Sequence, residues 1–313
     1  MFDKKNFIKI VIAACAIFST LIGALTGKLD KPAAPPEGAT LVSDKNIVLT
    51  DAITKAQGLT NDGEYFYFSG KTTLTKMALD GETTVIKKEA AIPGELVAKY
   101  GSNHLGGLSY YNGKIYAALE DNQIYKHPLI AVYDAETLEY TGEFFEVSNQ
   151  SHMAWCAVNP EDGLIYTSDW SNATQLNVYS VDGFEYVKTI ELSAPIDRVQ
   201  GAEFYKGTLY LSSDVKNDTK PILAIDVSTG VVSTAFNTNL GKGFEAEDVT
   251  ILPMDDGSLF HIIAAGKSRL NIHFSHYSID EKGCLTAKTK TQFRSRPLLR
   301  FFIVTIDISL CVC

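Results

Sequence analysis

Polar and ionisable side chains stand at matching positions in a series of short apolar runs. Residues that precede or begin such a run are Gln57, His104, His152, Gln200 and Glu247, and Arg198 lies two residues ahead of Gln200. Residues that follow the next run along the chain are Glu120, Asp169, Trp170 and Asp214. Carboxylates, imidazoles and amides can bind a polar ligand, transfer protons or hold a cation. These ten residues are the candidate site, provided that the fold brings them together.

Three carboxylates of this set, Asp169, Asp214 and Glu247, are the candidate metal ligands. A divalent cation such as calcium takes six to eight oxygen ligands, so acidic side chains would suit it. His104 and His152 occupy equivalent repeat positions and could form a metal pair or a general base with its partner. No HxH or HExxH spacing supports a metal there. Three interpretations stay open: a cation site, an acid–base pair, and polar side chains that only face water.

A glycine followed three residues later by an aromatic residue recurs five times. The glycines are Gly63, Gly113, Gly163, Gly207 and Gly257, at intervals of 44 to 50 residues. Each lies between two β-rich runs, and the Asn112-Gly113 pair is a strong hairpin signal. A third and a fourth run follow. Four short strands per repeat predict an all-β fold, a β-propeller of five four-stranded blades.

The ends of the chain bear on how the ring closes. We expect Ile47-Val48-Leu49 to pair with the last blade, because closure removes exposed sheet edges. A sixth blade built from both ends is the alternative. In either ring the innermost strands converge on the central axis, so the candidate residues should meet at one acidic channel mouth.

Residues 1–27 are predicted to be a signal anchor or a signal peptide. Lysines precede an uncharged apolar run, residues 10–27, that is long enough to form a hydrophobic helix across a bilayer. Residues 28–39 form a predicted Pro-rich linker, and residues 40–290 the propeller. Residues 291–313 form an atypical tail, either a closing strand or a non-homologous end. The protein is therefore expected to be membrane-anchored and facing outside the cytoplasm, or secreted.

The formal net charge of the chain is −9. Nucleic acids are bound by clustered Lys and Arg side chains, so an acidic propeller argues against a nucleic-acid partner. The partners that stay open are the membrane, through the N-terminal segment, and an unidentified small molecule or protein.

Two stretches resemble motifs of the extracytoplasmic propellers that include the glutamine cyclotransferases, with lactonase-like propellers as related architectures. They are Gln57-Gly58-Leu59-Thr60 and Gln200-Gly201-Ala202-Glu203-Phe204-Tyr205-Lys206-Gly207. The resemblance implies a propeller fold. It also implies an acidic residue after the first hairpin, where Tyr67-Phe68-Ser69-Gly70 has none, whereas Glu203 matches the acidic residue of the later motif.

Two functions are consistent with these features. The first is a membrane-anchored or secreted propeller that binds a ligand or partner at an acidic channel mouth. The second is a propeller enzyme, either a metal-dependent hydrolase or lyase or a cyclotransferase-like enzyme. Tightly bound, stoichiometric metal would favour the second function.

Overall fold

A computed structural model describes most of the chain. It covers residues 18, 21–22, 30, 34–215, 219–268 and 270–279. Twenty β-strands and two short helices lie in this part of the chain. The all-β fold class that the repeats predict is confirmed.

Each of the first three blades is a four-stranded antiparallel sheet whose strands follow one another in the chain. The first contains β2 (Gly58–Asn61), β3 (Tyr65–Gly70), β4 (Thr73–Ala78) and β5 (Thr84–Lys88). The second contains β6 (His104–Tyr111), β7 (Lys114–Glu120), β8 (Leu129–Asp134) and β9 (Tyr140–Glu146). The third contains β10 (Ala157–Asn159), β11 (Leu164–Thr167), β12 (Ala173–Ser180) and β13 (Tyr186–Ile196).

The last two blades complete the ring. The fourth contains β14 (Val199–Tyr205), β15 (Thr208–Ser213), β16 (Pro221–Asp226) and β17 (Val231–Asn237). The fifth contains β18 (Glu245–Ile251), β19 (Phe260–Ala265), β20 (Asn271–Ile279) and, as its outer strand, β1 (Ala39–Val48). The described residues thus form five blades, as predicted, and no sixth blade is found among them.

Strand β1 closes the ring by pairing antiparallel with β20. Ile47 pairs with Ile272 and Val48 with Asn271, so the predicted pairing of this segment with the last blade is confirmed. Hydrogen bonds between the first and the last described strands therefore protect a sheet edge that would otherwise be open. Helix α1 (Thr50–Ile53) then leads from β1 towards the innermost strand of the first blade.

Turns of two to four residues join the first two strands of the first four blades, and an eight-residue loop joins those of the fifth. The recurring glycines lie in these connections. Asn112 and Gly113, between β6 and β7, have positive φ angles of 49° and 76°. Positive φ at both central residues gives a two-residue turn whose twist matches the flanking strands. Helix α2 (Gly94–Tyr100), between the first two blades, is also where the sequence predicts a helix.

The innermost strands approach one another so closely at the axis that side chains would not fit at several positions. A Cβ atom on Gly201 would lie 1.6 Å from Asp248 Oδ1, and one on Gly106 would lie 2.2 Å from the carbonyl oxygen of Ala154. Strand β14 also contacts β2 and β6 across the axis. We call this level the glycine layer. It gives the channel mouth a floor.

The predicted hydrophobic helix and the atypical tail lie outside the described residues, apart from residues 18, 21 and 22. No helix within the described ranges is long and apolar enough to cross a membrane. Asp30, from the predicted linker, is buried against the fifth blade. Its Oδ1 accepts a hydrogen bond from the backbone N–H of Lys267 at 3.0 Å, and its Oδ2 accepts one from Asn271 Nδ2 at 2.7 Å.

Candidate functional site

A pocket opens above the glycine layer, where the innermost strands start. Its volume is about 370 Å³. The residues that line it are Gln57, His104, Glu120, Asn122, Tyr125, His152, Ala154, Trp170, Gln200, Glu245 and Glu247. We call it the mouth pocket. Seven of the ten candidate residues line it, and Asp169, Arg198 and Asp214 do not.

Glu120 is at the centre of the polar cluster in the mouth pocket. It ends β7 and pairs across the ladder with His104, the first residue of β6, which sets the two side chains beside each other. Its Oε1 lies 3.4 Å from both His104 Nδ1 and His152 Nε2. Only 2% of the Glu120 side chain is exposed. Its second oxygen, Oε2, is buried and has no hydrogen-bond partner among the described residues.

The two imidazoles determine the charge of Glu120. Burial acts to raise the pKa of this carboxyl group, but the hydrogen bonds and the charges of His104 and His152 outweigh it, and the pKa is lowered. Glu120 is therefore an anion at neutral pH. The mouth pocket thus holds a buried negative charge between two rings.

Gln57 fixes the orientation of His104. Gln57 Nε2 donates to the carbonyl oxygen of Ala56 at 2.6 Å, which turns Gln57 Oε1 towards His104 Nε2 at 2.5 Å. An amide oxygen only accepts hydrogen bonds, so His104 donates through Nε2. The other ring nitrogen, Nδ1, therefore faces Glu120.

A column of stacked side chains forms one wall of the mouth pocket. Tyr125 stacks on His152 with ring centroids 4.0 Å apart, and Trp170 packs against His152 with centroids 4.9 Å apart. The Arg198 guanidinium lies 4.4 Å from the centre of the Trp170 ring, a cation–π contact. Trp170 Nε1 donates to Gln200 Oε1 at 3.0 Å. These contacts hold the His152 ring in one orientation.

Arg198 and Asp214 form an ion pair beside this column. Arg198 donates through Nη2 to Asp214 Oδ2 at 2.5 Å and through Nε to the Asp214 carbonyl oxygen at 2.8 Å. The other carboxylate oxygen, Oδ1, lies 2.9 Å from Lys220 Nζ and accepts a hydrogen bond from the backbone N–H of Ala246 at 3.0 Å. Protein groups therefore engage both carboxylate oxygens of Asp214.

Glu247 is the second buried carboxyl group of the mouth pocket, with 3% of the residue exposed. Burial first, and then the charges of Asp214 and Asp248, raise its pKa well above the usual range, against a smaller opposing effect of Arg198. Glu247 therefore keeps its proton at pH values where an ordinary carboxyl group is ionised.

A smaller pocket of about 220 Å³ adjoins the mouth pocket at Gln57 and Glu247, which line both. Its other walls are mostly small or aliphatic. They consist of Ala52, Ile53, Ala56, Ala265 and Ile272, with Lys71 and Asn271. We call it the side pocket. The two pockets together offer a polar lobe and an apolar lobe that meet at a protonated carboxyl group.

Asp248 lies in the glycine layer, beneath the mouth pocket, and is fully buried. Its Oδ2 accepts hydrogen bonds from the backbone N–H groups of Leu59 at 2.8 Å and Leu108 at 3.3 Å, and its Oδ1 accepts one from Val249 at 2.7 Å. Burial raises its pKa well above the usual range, although these hydrogen bonds oppose the change. The donors come from the first, second and fifth blades, so Asp248 ties innermost strands together.

The three candidate metal ligands do not share the lining of one pocket. Glu247 lines the mouth pocket, Asp214 is paired with Arg198, and Asp169 Oδ1 accepts a hydrogen bond from the backbone N–H of Ser151 at 3.1 Å. Among the residues that the structure describes, no group of three or more His, Cys, Asp and Glu side chains is placed to hold a metal ion. The calcium hypothesis stays a prediction.

Glu203, the acidic residue that the family resemblance singles out, lies towards the opposite end of the innermost strands. Its carboxyl group accepts hydrogen bonds from the Thr250 hydroxyl and, at 3.3 Å, from Asn61 Nδ2. Burial raises its pKa well above the usual range. Glu203 does not line the mouth pocket, so a mechanism based on it would use a different place in the channel.

Asn122, Tyr125 and Ala154 also line the mouth pocket and were missed by the sequence reasoning. Tyr125 belongs to the loop after β7. The positive φ angles of Gln123 (81°) and Tyr125 (53°) turn this loop back towards His152. The sequence only weakly indicates the path of this loop, because the one relevant feature is a group of turn-forming residues directly after Glu120.

Comparisons with other proteins agree with this architecture. A family model described as a repeat of unknown function, DUF6923, matches residues 107–246. This segment runs from the innermost strand of the second blade to the start of the fifth. A search of curated protein sequences finds no match.

One solved structure is similar in overall fold. Glutaminyl cyclase from Myxococcus xanthus is 16% identical with a TM-score of 0.56, over 79% of this chain and 100% of that one. The chain is a five-bladed β-propeller. The motif resemblance to cyclotransferase-like propellers is thus confirmed for the fold, and an identity this low shows the fold alone.

Two further solved structures are more distant. A gluconolactonase from Xanthomonas campestris is 14% identical with a TM-score of 0.48, over 79% of this chain and 97% of that one. Hydrazine synthase from Kuenenia stuttgartiensis is 15% identical with a TM-score of 0.41, over 69% of this chain and 57% of that one.

Proposed function

We propose that this protein is an extracytoplasmic β-propeller that binds a small polar ligand in the mouth pocket. The observation that carries the proposal is a buried carboxylate oxygen in this pocket that lacks a hydrogen-bond partner, beside a second buried carboxyl group. Within the described residues, Glu120 Oε2 has no hydrogen-bond partner, and Glu247, in the same pocket, is 3% exposed. Leaving a buried polar group unpaired costs about 1–3 kcal/mol. A ligand with matching donors would remove this cost.

The rigidity of the surrounding walls supports the proposal. Gln57 fixes His104, and the stack of Tyr125 and Trp170 fixes His152. A site whose side chains are already held in place loses little conformational entropy on binding, so more of the contact energy appears as affinity.

The experiment uses a natural reporter. The chain has two tryptophans, Trp155 in the core and Trp170 in the pocket wall, so a Trp155→Phe variant emits from Trp170 alone. Full-length protein in detergent is titrated separately with sugars, amino acids and alkylamines. We expect at least one class to shift the emission saturably.

Two further variants give this titration its control. Glu120→Gln should weaken binding about tenfold or more, which corresponds to about 1.4 kcal/mol. Glu64→Gln, which changes an exposed carboxylate far from the pocket, should leave binding unchanged. If no compound shifts the emission, or if both variants bind equally well, the proposal is wrong.

The cellular location is part of the proposal. The apolar run in residues 10–27 would hold the protein at a membrane or direct its secretion. A reporter enzyme that is active only outside the cytoplasm, fused after the full chain, should be active, and cell fractionation distinguishes the anchored from the secreted form. An inactive reporter would contradict this location.

A second candidate function is acid–base catalysis in the same pocket. The specific observation is that the pKa of Glu120 is lowered while that of Glu247 is raised. Two carboxyl groups with opposite shifts can act as base and acid at one pH. This supports the hydrolase, lyase or cyclotransferase-like alternative, in which a divalent cation such as calcium could also take part.

The enzyme alternative is tested by assays on the full chain with lactones and with peptides that begin with glutamine. Glu247→Gln should lower kcat by about 100-fold or more, because it removes the proton donor. The assays are run with calcium and with a chelator, and loss of activity in the chelator would support a cation. Activity that survives both Glu120→Gln and Glu247→Gln would rule out the pair as acid and base.

A further inference from the structure

The mouth pocket and the side pocket share two residues, Gln57 and Glu247. One ligand can therefore occupy both, with its polar group near Glu120 and Glu247 and the rest of it in the side pocket. The side pocket is lined largely by alanine and isoleucine residues, whose side chains cannot form hydrogen bonds. The part of the ligand that enters it should be aliphatic.

We infer that the ligand is a small organic cation, with an ammonium group beside Glu120 and Glu247 and a short aliphatic chain in the side pocket. This inference rests on the proposed function and names the ligand class for the same site.

Charge favours a cation over an anion. Among the described residues, no Lys or Arg side chain lines the mouth pocket, whereas Glu120, Glu245 and Glu247 do. Arg198 and Lys220, which do not line it, are both paired with Asp214. Lys71, which also lines the side pocket, is exposed to solvent. His104 and His152 are the charged partners that lower the pKa of the buried Glu120 carboxylate, and the other two carboxyl groups of the mouth pocket have no Lys or Arg in its lining. An anionic ligand would place a second negative charge against Glu120 in a poorly solvated site.

Attraction to the Glu120 carboxylate favours an ammonium group over a hydroxyl group. An ammonium group has three donors and no acceptor, so it pairs best with ionised carboxylates. It can donate to Glu120, and to Glu247 once Glu247 has lost its proton. A hydroxyl group can donate to Glu120 and accept the proton of Glu247, but it brings no positive charge to the pocket.

Binding of a cation should release a proton from Glu247. Its carboxyl group retains a proton to unusually high pH because it is buried and because the charges of Asp214 and Asp248 outweigh that of Arg198. A bound positive charge favours the ionised form and lowers this pKa. Affinity for the cation should therefore rise with pH until Glu247 is ionised in the free protein, and remain constant above that pH.

The test compares three matched probes, n-pentylammonium, 1-pentanol and pentanoate, on the full-length Trp155→Phe protein. We expect n-pentylammonium to bind at least tenfold more tightly than either of the others. Each methylene added from ethylammonium to pentylammonium should raise affinity about fourfold, as apolar burial predicts. Calorimetry in two buffers of different ionisation enthalpy measures the released protons.

Two variants separate the lobes. Glu247→Gln should abolish the proton release, whereas the surface control Glu64→Gln should keep it. Ala56→Leu, at a partly exposed position in the side-pocket wall, should remove the gain with chain length and leave the binding of methylammonium intact.

Equal binding of 1-pentanol, or cation binding without proton release, would overturn this inference. If sugars or amino acids shift Trp170 emission in a Glu120-dependent way but alkylammonium ions do not, the inference fails while the proposed function stands. If no probe of any class binds, both fail.

Discussion

The Nδ1 atom of His273 lies 2.7 Å from Oδ2 of Asp44, and its Nε2 lies 3.2 Å from Oδ2 of Asp30. The ring belongs to β20 and is buried. One of its partners comes from the closing strand β1, and the other from the segment that precedes it. Ser275 Oγ also donates to Asp44. His273 therefore fastens two N-terminal segments to the last blade.

The strength of this fastening should depend on pH. Burial acts to lower the pKa of His273, but the hydrogen bonds and charges of Asp44 and Asp30 outweigh it, and the pKa is raised above its usual value of 6.5. The stabilisation is therefore fully present below about pH 6.5 and is lost as pH rises through the folded-state pKa. His273→Gln should lower the free energy of unfolding by about 3 kcal/mol at pH 6 and by less at pH 9.

Urea unfolding at the two pH values measures this difference. The matched control is His127→Gln, because His127 also faces a carboxylate, Asp121, but is exposed. That substitution should cost less than about 1 kcal/mol. An equal loss at pH 6 and pH 9 for His273→Gln would mean that the imidazole charge plays no part in the fastening.

A second histidine pair should respond to pH in the opposite direction. His261 Nδ1 lies 2.6 Å from His276 Nδ1, and His261 Nε2 donates to the Leu252 carbonyl oxygen at 2.8 Å. His261 Nδ1 therefore accepts a hydrogen bond from His276 Nδ1–H, and only one of the two Nδ1 atoms carries a proton. Burial lowers the pKa of His261 to about 4, and burial also lowers that of His276.

Because these folded-state pKa values are lowered, the stabilisation is present above about pH 6.5 and is lost as pH falls towards about 4. The free energy of unfolding should therefore decrease steadily between pH 7 and pH 4.5. In His261→Gln that decrease should be smaller, and in His273→Gln it should persist. Chemical unfolding across this range tests it, and an unchanged slope in His261→Gln would assign the acid sensitivity to other groups.

The repeat spacing made the fold and most of the mouth pocket predictable. A propeller places equivalent positions of each blade around one axis, so Gln57, His104 and Gln200 could be assigned to the mouth from their repeat positions alone. Glu120 followed from its place at the end of a second strand. The closing strand was predictable at Ile47 and Val48 because an open edge is unfavourable.

Features that depend on loop paths and on packing between blades could not be predicted in the same way. Tyr125 reaches the pocket because two residues of its loop have positive φ, which its composition does not specify. Asp30 lies in a proline-rich stretch, yet it is buried against the fifth blade. Asp214 was a candidate metal ligand, and its pairing with Arg198 and Lys220 depends on the fold of the fourth blade.

Asp248 should tolerate an amide better than the loss of its side chain. Its carboxyl oxygens accept hydrogen bonds from Leu59, Leu108 and Val249, and its raised pKa means that the protonated form is favoured. Asparagine keeps one acceptor oxygen, for Leu59 and Leu108, but its amide nitrogen leaves the Val249 N–H unpaired, so Asp248→Asn should cost about 1 kcal/mol. Asp248→Ala leaves three buried donors unpaired and should cost about 3 kcal/mol or more. Thermal unfolding ranks the two variants, and equal stability would show that these hydrogen bonds are not important.

Gly201→Ala tests the close approach of strands in the glycine layer. The added methyl group would lie 1.6 Å from Asp248 Oδ1 and 2.7 Å from its Cα, so the backbone itself must move. We expect the free energy of unfolding to fall by about 3 kcal/mol, at the upper end of what overpacking usually costs, and the yield of folded protein to fall.

Gly94→Ala is the matched control, because a Cβ atom there meets nothing within 4 Å and Gly94 begins helix α2. Urea unfolding of both variants measures the difference. A Gly201→Ala protein as stable as Gly94→Ala would mean that the innermost strands lie farther apart and that the mouth pocket has no floor at this level.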